Sequence, residues 1–458
     1  MLIAGLIVAA IGGALYMMQA FGRSSSRMAI GSGAAALGAA VTPVLMDQCG
    51  FAAEATAVDH LFAYGLMAGG AWLALVITKA FLRRGEKKSG EDAAFAGEIR
   101  TGGFRLGWWV PWALLAPTLI ILVIFLYTPA VQTFTLSSKL ARLGAPRQVE
   151  VCFANFTELL IPNAVALVAY PLISLALIFG ARFWRNRSEK GTIGHTLAEV
   201  ASILAALSVF VALYLMFSPG GGGSVAYRPV YVTTMIISVG IVVFGMTAGL
   251  AVAVLAFRGI RGGGAYRTML VWPYAISPAV AGILFFMILD PTAGIVNHLA
   301  EVWFGWDFPN YREDPFMARF AIIMASSWKI IGFNILFYLA GLQTVPREQM
   351  EAAALDGATA WQRFTNVIIP ALSPITFFLL VTNLTYAFFE VYATIDFMTK
   401  GAPAGATSVA IYEIIRVGVN NGDLGRGAAQ SVLLFAAVIG VTMWQFRTSG
   451  ERVTYGGA

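Results

Sequence analysis

The chain has 458 residues, of which 58% are hydrophobic and 12% charged, and its mean hydropathy is +0.75. Soluble domains carry charge on about a quarter of their residues, so this composition excludes a soluble globular enzyme and indicates a polytopic membrane protein. The formal charge of +6 needs no nucleic-acid partner, because loop Lys and Arg account for it, and two cysteines exclude a thiolate metal cluster.

About 20 apolar residues are needed to cross the roughly 30 Å hydrocarbon core, and lipid-facing open sheets cannot do so. About eleven stretches qualify in chain order: 2–20, 28–46, 60–82, 108–130, 163–183, 196–217, 230–256, 267–289, 316–341, 366–388 and 428–446. The expected fold is therefore an all-α polytopic transmembrane helix bundle. Met1 is followed by apolar residues with no basic n-region, which argues against a cleaved signal peptide.

Every second loop is basic. Arg83, Arg84, Lys87, Lys88, Arg100 and Arg105 follow the third span, Arg182, Arg185, Arg187 and Lys190 the fifth, and Arg258, Arg261 and Arg267 the seventh. The loop 290–315 sets Asp290, Glu301, Asp307, Glu313 and Asp314 against one Arg312. The positive-inside rule then places the N-terminus outside and the C-terminus, with Arg447 and Arg452, in the cytoplasm. The loop 131–162, with Lys139, Arg142 and Arg147, fits this pattern least. Cys49 and Cys152 both fall in outside loops, where a disulfide is permitted; two unrelated thiols is the alternative.

Between spans, residues 83–105 are charged and Gly-rich and read as a cytoplasmic linker after a three-span module, 1–82. In that module the run 31–40 has small residues that permit close helix approach. The outside loop 218–229 carries four consecutive glycines that resist ordering. Trp303, Trp306, Phe308 and Tyr311 mix with acids before the ninth span, as an interfacial segment or an outside recognition surface. His60, His195 and His298 are scattered, and no metal site is expected.

Residues 347–370, "REQMEAAALDGATAWQRFTNVIIP", lie on the cytoplasmic side. Pro346 suits a first helical turn, Glu348 and Glu351 complement the helix dipole, and Ala352 through Leu355 favour helix. Gly357 tolerates the positive φ that ends it. Thr359 and Gln362 have capping-box spacing for a second helix leading through Trp361 and Phe364 to Pro370.

This stretch resembles the EAA loop of ABC-importer permeases, with Glu351, Ala352, Ala353, Gly357 and Pro370 at the pattern's positions and Val367 and Ile369 replacing its Ile and Leu. In that family the loop is a coupling helix docked in a cleft of a separate ATPase, and the resemblance carries this role to those five residues and, with them, to Asp356. For Asp356 and Arg363 a salt-bridge or helix-end contribution is the expectation, with a purely solvated role as the alternative. The resemblance extends over about 230–450 and is to the MetI-like, maltose-permease-like carbohydrate class, most of all to A-type permeases of sn-glycerol-3-phosphate importers. Residues 107–134 and "FANFTELL" at 153–160 resemble the same class, which makes 106–458 the permease domain. The three N-terminal spans and the inserted pair at about 163–217 depart from it.

The resemblance implies a two-copy ATPase partner holding ATP and Mg2+, a second permease subunit and an extracytoplasmic binding protein. No G-x-x-x-x-G-K-[ST] loop occurs in this chain, so ATP hydrolysis is not assigned to it. The cargo implied is sn-glycerol-3-phosphate or a glycerophosphodiester, with a neutral sugar or oligosaccharide as the alternative. An ion-coupled secondary transporter should show several intramembrane carboxylates; only Glu199 and Glu390 qualify. Lys329, near the middle of 316–341, is costly in lipid and so a functional candidate for attracting an anion, or a structural partner for Glu390. Trp328, Asn334, Asn383, Tyr386 and Glu390 are further substrate-path candidates at similar depth, with helix packing as the alternative role.

Overall fold

The structure, a computed structural model, describes residues 2–21, 25–45, 63–65, 67–76, 78–79, 110–145, 148–161, 164–187, 193–219, 226–257, 263–306 and 309–449. The linker 83–105, Cys49, His60 and the side chains of His195 and Glu199 lie outside them. The described part is almost entirely helical, with one two-stranded pair, β1 (Lys139–Leu140) and β2 (Val149–Glu150). The chain divides into two compact units, one of residues 1–158 and 417–432, the other of 159–416 and 433–458.

In the first unit, α1 (Leu2–Phe21) and α2 (Ser25–Leu45) occupy the first two expected spans. A Cβ on Gly13 would stand 2.5 Å from the Gly31 carbonyl oxygen, and one on Gly38 would collide with the Gly70 carbonyl. The small residues thus allow backbones to touch. Next come α3 (Val110–Leu122), a π-turn at Val123–Tyr127 and α4 (Thr128–Ser137). Pro129 has no N–H to continue the α-ladder, and the Thr128 N–H reaches back five residues to Val123 O. The helix continues to Ser137, beyond the expected edge at 130, because the polar turns there remain helical rather than forming loop.

The short "FANF" segment closes this unit. Asn155 Nδ2 donates to the carbonyls of Ser137 at 2.9 Å and Lys139 at 3.1 Å. Arg426 joins Glu158 at 2.7 Å and Asp423 at 3.5 Å. Cys152 is disulfide-bonded; Cys49, the only other cysteine, is outside the described residues.

In the second unit, α5 (Ala164–Arg187) and α6 (Ile193–Met216) occupy the expected spans 163–183 and 196–217, linked by Ser174 Oγ donating to Ser208 O. Helices α7 (Arg228–Phe257) and α11 (Pro315–Thr344) make the central seam. Gly240, Gly245 and Gly249 on α7 receive Ile323, Ile330 and Asn334 of α11. Around that seam, Ile237, Ile241, Ile322, Val391 and Ile395 are fully buried.

Two expected spans are not straight. The stretch 267–289 breaks between Arg267–Ala275, which covers most of α8 (Gly263–Val271) and a 3-10 turn, and α9 (Pro278–Ile288), at 102°. Pro278 holds Ser277 extended, at φ −68° and ψ 152°, and Ser277 caps α9 through the Val280 N–H. The stretch 366–388 breaks by 67° before α14 (Ser373–Phe389). Among the described residues, four helices are long and apolar enough to cross a membrane, and six if each bent pair is one span. The expectation of about eleven therefore also needs shorter apolar runs such as Val8–Met17, Ala29–Ala40 and Val200–Met216.

Between α9 and α11, the Asp290 carboxylate accepts the Thr292 and Ala293 N–H groups and meets Arg312 at 2.7 Å. The Thr292 N–H above all, then its hydroxyl, holds this carboxyl well below the usual range. Helix α10 (Ile295–Phe304) and the turn after it leave Trp303, Phe304 and Trp306 exposed.

Candidate functional site

The α11 helix ends at Thr344, and Pro346 caps the next one, α12 (Arg347–Leu355). Proline therefore stands one place before the first turn that the sequence suggests, because its ψ of 125° is extended rather than helical. Glu348 lies in the first turn, and no residue of α12 is buried. Termination follows the Schellman pattern: Ala358 N–H donates to Ala353 O, Gly357 N–H to Ala354 O, and Gly357 has φ +78°.

Thr359 then starts α13 (Ala360–Arg363) with a complete capping box. Thr359 N–H donates to Gln362 Oε1 at 2.8 Å and Gln362 N–H to Thr359 Oγ1 at 3.3 Å. Beyond it a π-turn, Phe364–Ile368, sends the Ile369 N–H to Phe364 O, just before Pro370, which has no N–H to give. The 67° bend follows at Leu372. Glu351, Ala352, Asp356, Gly357 and Pro370 are exposed and Ala353 is half-buried. Leu355 is 90% exposed and Trp361 70%. The two-helix frame thus presents large apolar side chains on its bare surface. Among the described residues Asp356 and Arg363 form no ion pair.

The substrate-path candidates divide in two. Asn334 and Asn383 are fully buried, and Asn383 Nδ2 donates to Asn334 Oδ1 at 2.7 Å. These amides tie α11 to α14. Asn383→Leu should lower the thermal stability of the detergent-purified protein by about 1–2 kcal/mol, since interhelical bonds in membranes are modest but a stranded buried amide is costly. Unchanged melting would show that the amides do not brace the helices.

Lys329 and Tyr386 behave differently. Lys329 is 6% exposed and makes no ion pair or hydrogen bond among the described residues. Its Nζ sits 5.0 Å from the Tyr386 ring centre and 5.4 Å from that of Tyr274. Among the described residues the Tyr386 hydroxyl is buried without a hydrogen-bond partner, as is Ser326 Oγ. Glu390 lies exposed at the end of α14; among the described residues it makes no ion pair with Lys329 within 4 Å, although its charge still acts on that lysine. Trp328 packs edge-on against Phe285, 5.6 Å between ring centres. Tyr274 is not evident from sequence, because the break at Pro273 and Pro278 brings it to α11; the "WPYAISP" stretch is the only local signal.

Residues 241–452 match the family of binding-protein-dependent transport system inner membrane components. The sn-glycerol-3-phosphate transport system permease protein UgpA of Yersinia enterocolitica is 37% identical over 295 residues, covering 63% of this chain and 95% of that protein. UgpA of Rhizobium meliloti is 45% identical over 224 residues, 49% of this chain and 75% of that one. A crystal structure of a bacterial ABC transporter that imports the acidic polysaccharide alginate aligns with a TM-score of 0.51 at 21% identity, covering 75% of this chain and 96% of its own. That likeness supports the fold.

Proposed function

Since this chain belongs to the inner-membrane components of binding-protein-dependent transport systems, we propose that it moves a phosphorylated glycerol compound inward under the drive of a separate ATPase docked on α12. The chain is a permease subunit of an ABC importer and a multi-pass inner-membrane protein. The observation that carries the coupling role is the exposed α12–Gly357–α13 knob. Its small residues, Ala352 and Ala353, allow close approach, Glu351 offers an acceptor, and Leu355 and Trp361 supply apolar area. An ATPase pair holding ATP and Mg2+ would close on nucleotide, pull the knob, and transmit the motion through the bend at Leu372 into α14. A second permease subunit and an extracytoplasmic binding protein complete the assembly. In this reading the N-terminus is outside and the C-terminus cytoplasmic. Residues 1–82 form an accessory module, and 106–458 the permease domain with its core at about 230–450.

Cargo identity rests on the UgpA relatives together with Lys329. A buried cation with no ion pair within 4 Å among the described residues, near two tyrosine rings and with only the more distant Glu390 as counter-charge, suits a transient anion. Lys329→Gln is expected to lower uptake of sn-glycerol-3-phosphate by roughly ten- to a hundredfold, the worth of a charge-assisted hydrogen bond. Its thermal stability should hold or rise, because a costly buried charge has been removed. Undiminished uptake would discard the phosphate role. A neutral sugar remains the second reading, favoured by the aromatic faces of Trp328, Tyr274 and Tyr386. Co-purification of an ATPase subunit with the wild-type chain tests the assembly itself.

A further inference from the structure

At the opposite end of α11 from the α12 knob, a cleft of about 470 Å3 opens among the first turns of α7 and α11 and the loop 403–406. Among the described residues that line it, two are cations, Arg228 and Arg319, and none is a carboxylate. Each is half-buried and held by its inner nitrogen. Arg319 Nε donates to Ala406 O at 2.9 Å. Arg228 Nε donates to Phe217 O at 2.8 Å and Tyr214 O at 3.1 Å, and its Nη2 to Leu215 O at 3.1 Å. Both terminal nitrogens of Arg319 and one of Arg228 are left without a protein acceptor among the described residues. The loop wall is fixed in place: Thr399 and Thr407 share a hydroxyl bond at 2.8 Å, and Thr407 donates to Ala402 O at 2.9 Å.

We propose that this cleft binds a phosphate group, shared between Arg228 and Arg319. Two like charges facing one cavity repel each other unless an anion lies between them. A carboxylate is matched by a single planar fork, whereas the paired terminal nitrogens of Arg319 and the one free terminal nitrogen of Arg228, arriving from separate helices, suit the tetrahedral oxygens of phosphate. The phosphate comes either from a free solute or from a lipid headgroup reaching past Tyr214 and Val232, whose side chains are exposed on the rim. No residue here belongs to the Lys329 region, so failure of one idea leaves the other standing.

The test uses the assembled importer carrying the full chain, purified in detergent without nucleotide. One arm measures binding of radiolabelled inorganic phosphate by equilibrium dialysis. The other measures retention of phosphatidylglycerol over diacylglycerol by native mass spectrometry. Arg228→Gln strips the carbonyls ending α6 of their donor and can fail to fold, so the variants are Arg319→Gln and Ala404→Glu, the latter placing a carboxylate on the exposed wall. Wild type should exceed both variants by at least about tenfold in one arm. Excess in the dialysis arm identifies a solute phosphate, and excess in the lipid arm alone a headgroup. Equal binding by wild type and both variants in both arms overturns the proposal.

Discussion

Gly357→Val is expected to cut ATP-driven uptake by roughly ten- to a hundredfold while the chain still reaches the membrane. Gly357 holds φ +78° with open space where a Cβ would go, so the obstacle is backbone conformation rather than crowding. A β-branched residue there costs about 1–3 kcal/mol, and that energy shifts the population of the docking-competent knob by a like factor. The two bonds that end α12, from Ala358 and Gly357, are lost together when φ relaxes. Uptake and ATPase co-purification, measured side by side, check the outcome. Full co-purification by a Gly357→Val, Glu351→Lys double variant would remove the knob from the docking interface.

Gly249→Leu should leave little folded protein at all. A Cβ at this position lies 2.5 Å from Asn334 Cβ and 3.6 Å from the α11 backbone, so no side-chain rotation relieves the clash. Overpacking typically costs about 1–3 kcal/mol when neighbours can shift. Here the two long helices at the centre of the unit must separate, and the Asn334–Asn383 bond goes with them. Size-exclusion profiles of detergent extracts should show the monodisperse peak lost. Gly180→Leu, on a helix face with nothing within 4 Å, is the matched control and should behave as wild type. A normal Gly249→Leu profile would mean that the α7–α11 seam is looser than its geometry.

Sequence by itself determined the features whose forces are local. The helices follow from apolar length. The α12–α13 frame follows from Gly357, Thr359 and Gln362, whose bonds span five residues or fewer. Only the tertiary structure decided what depends on distant partners. Neither the 102° nor the 67° bend is expected from the sequence, and it is the segment before the 102° bend that holds Tyr274, a neighbour of Lys329. Asn334 and Asn383, 49 positions apart, are equally polar in sequence whether they face substrate or each other. Arg228 and Arg319 come from loops and helices that sequence reads separately, yet they line one cleft. Short-range hydrogen bonding is encoded within a few residues of chain. Burial and charge compensation depend on which helices pack together, and that is settled only when close-packed surfaces such as the glycine seam of α7 find their match.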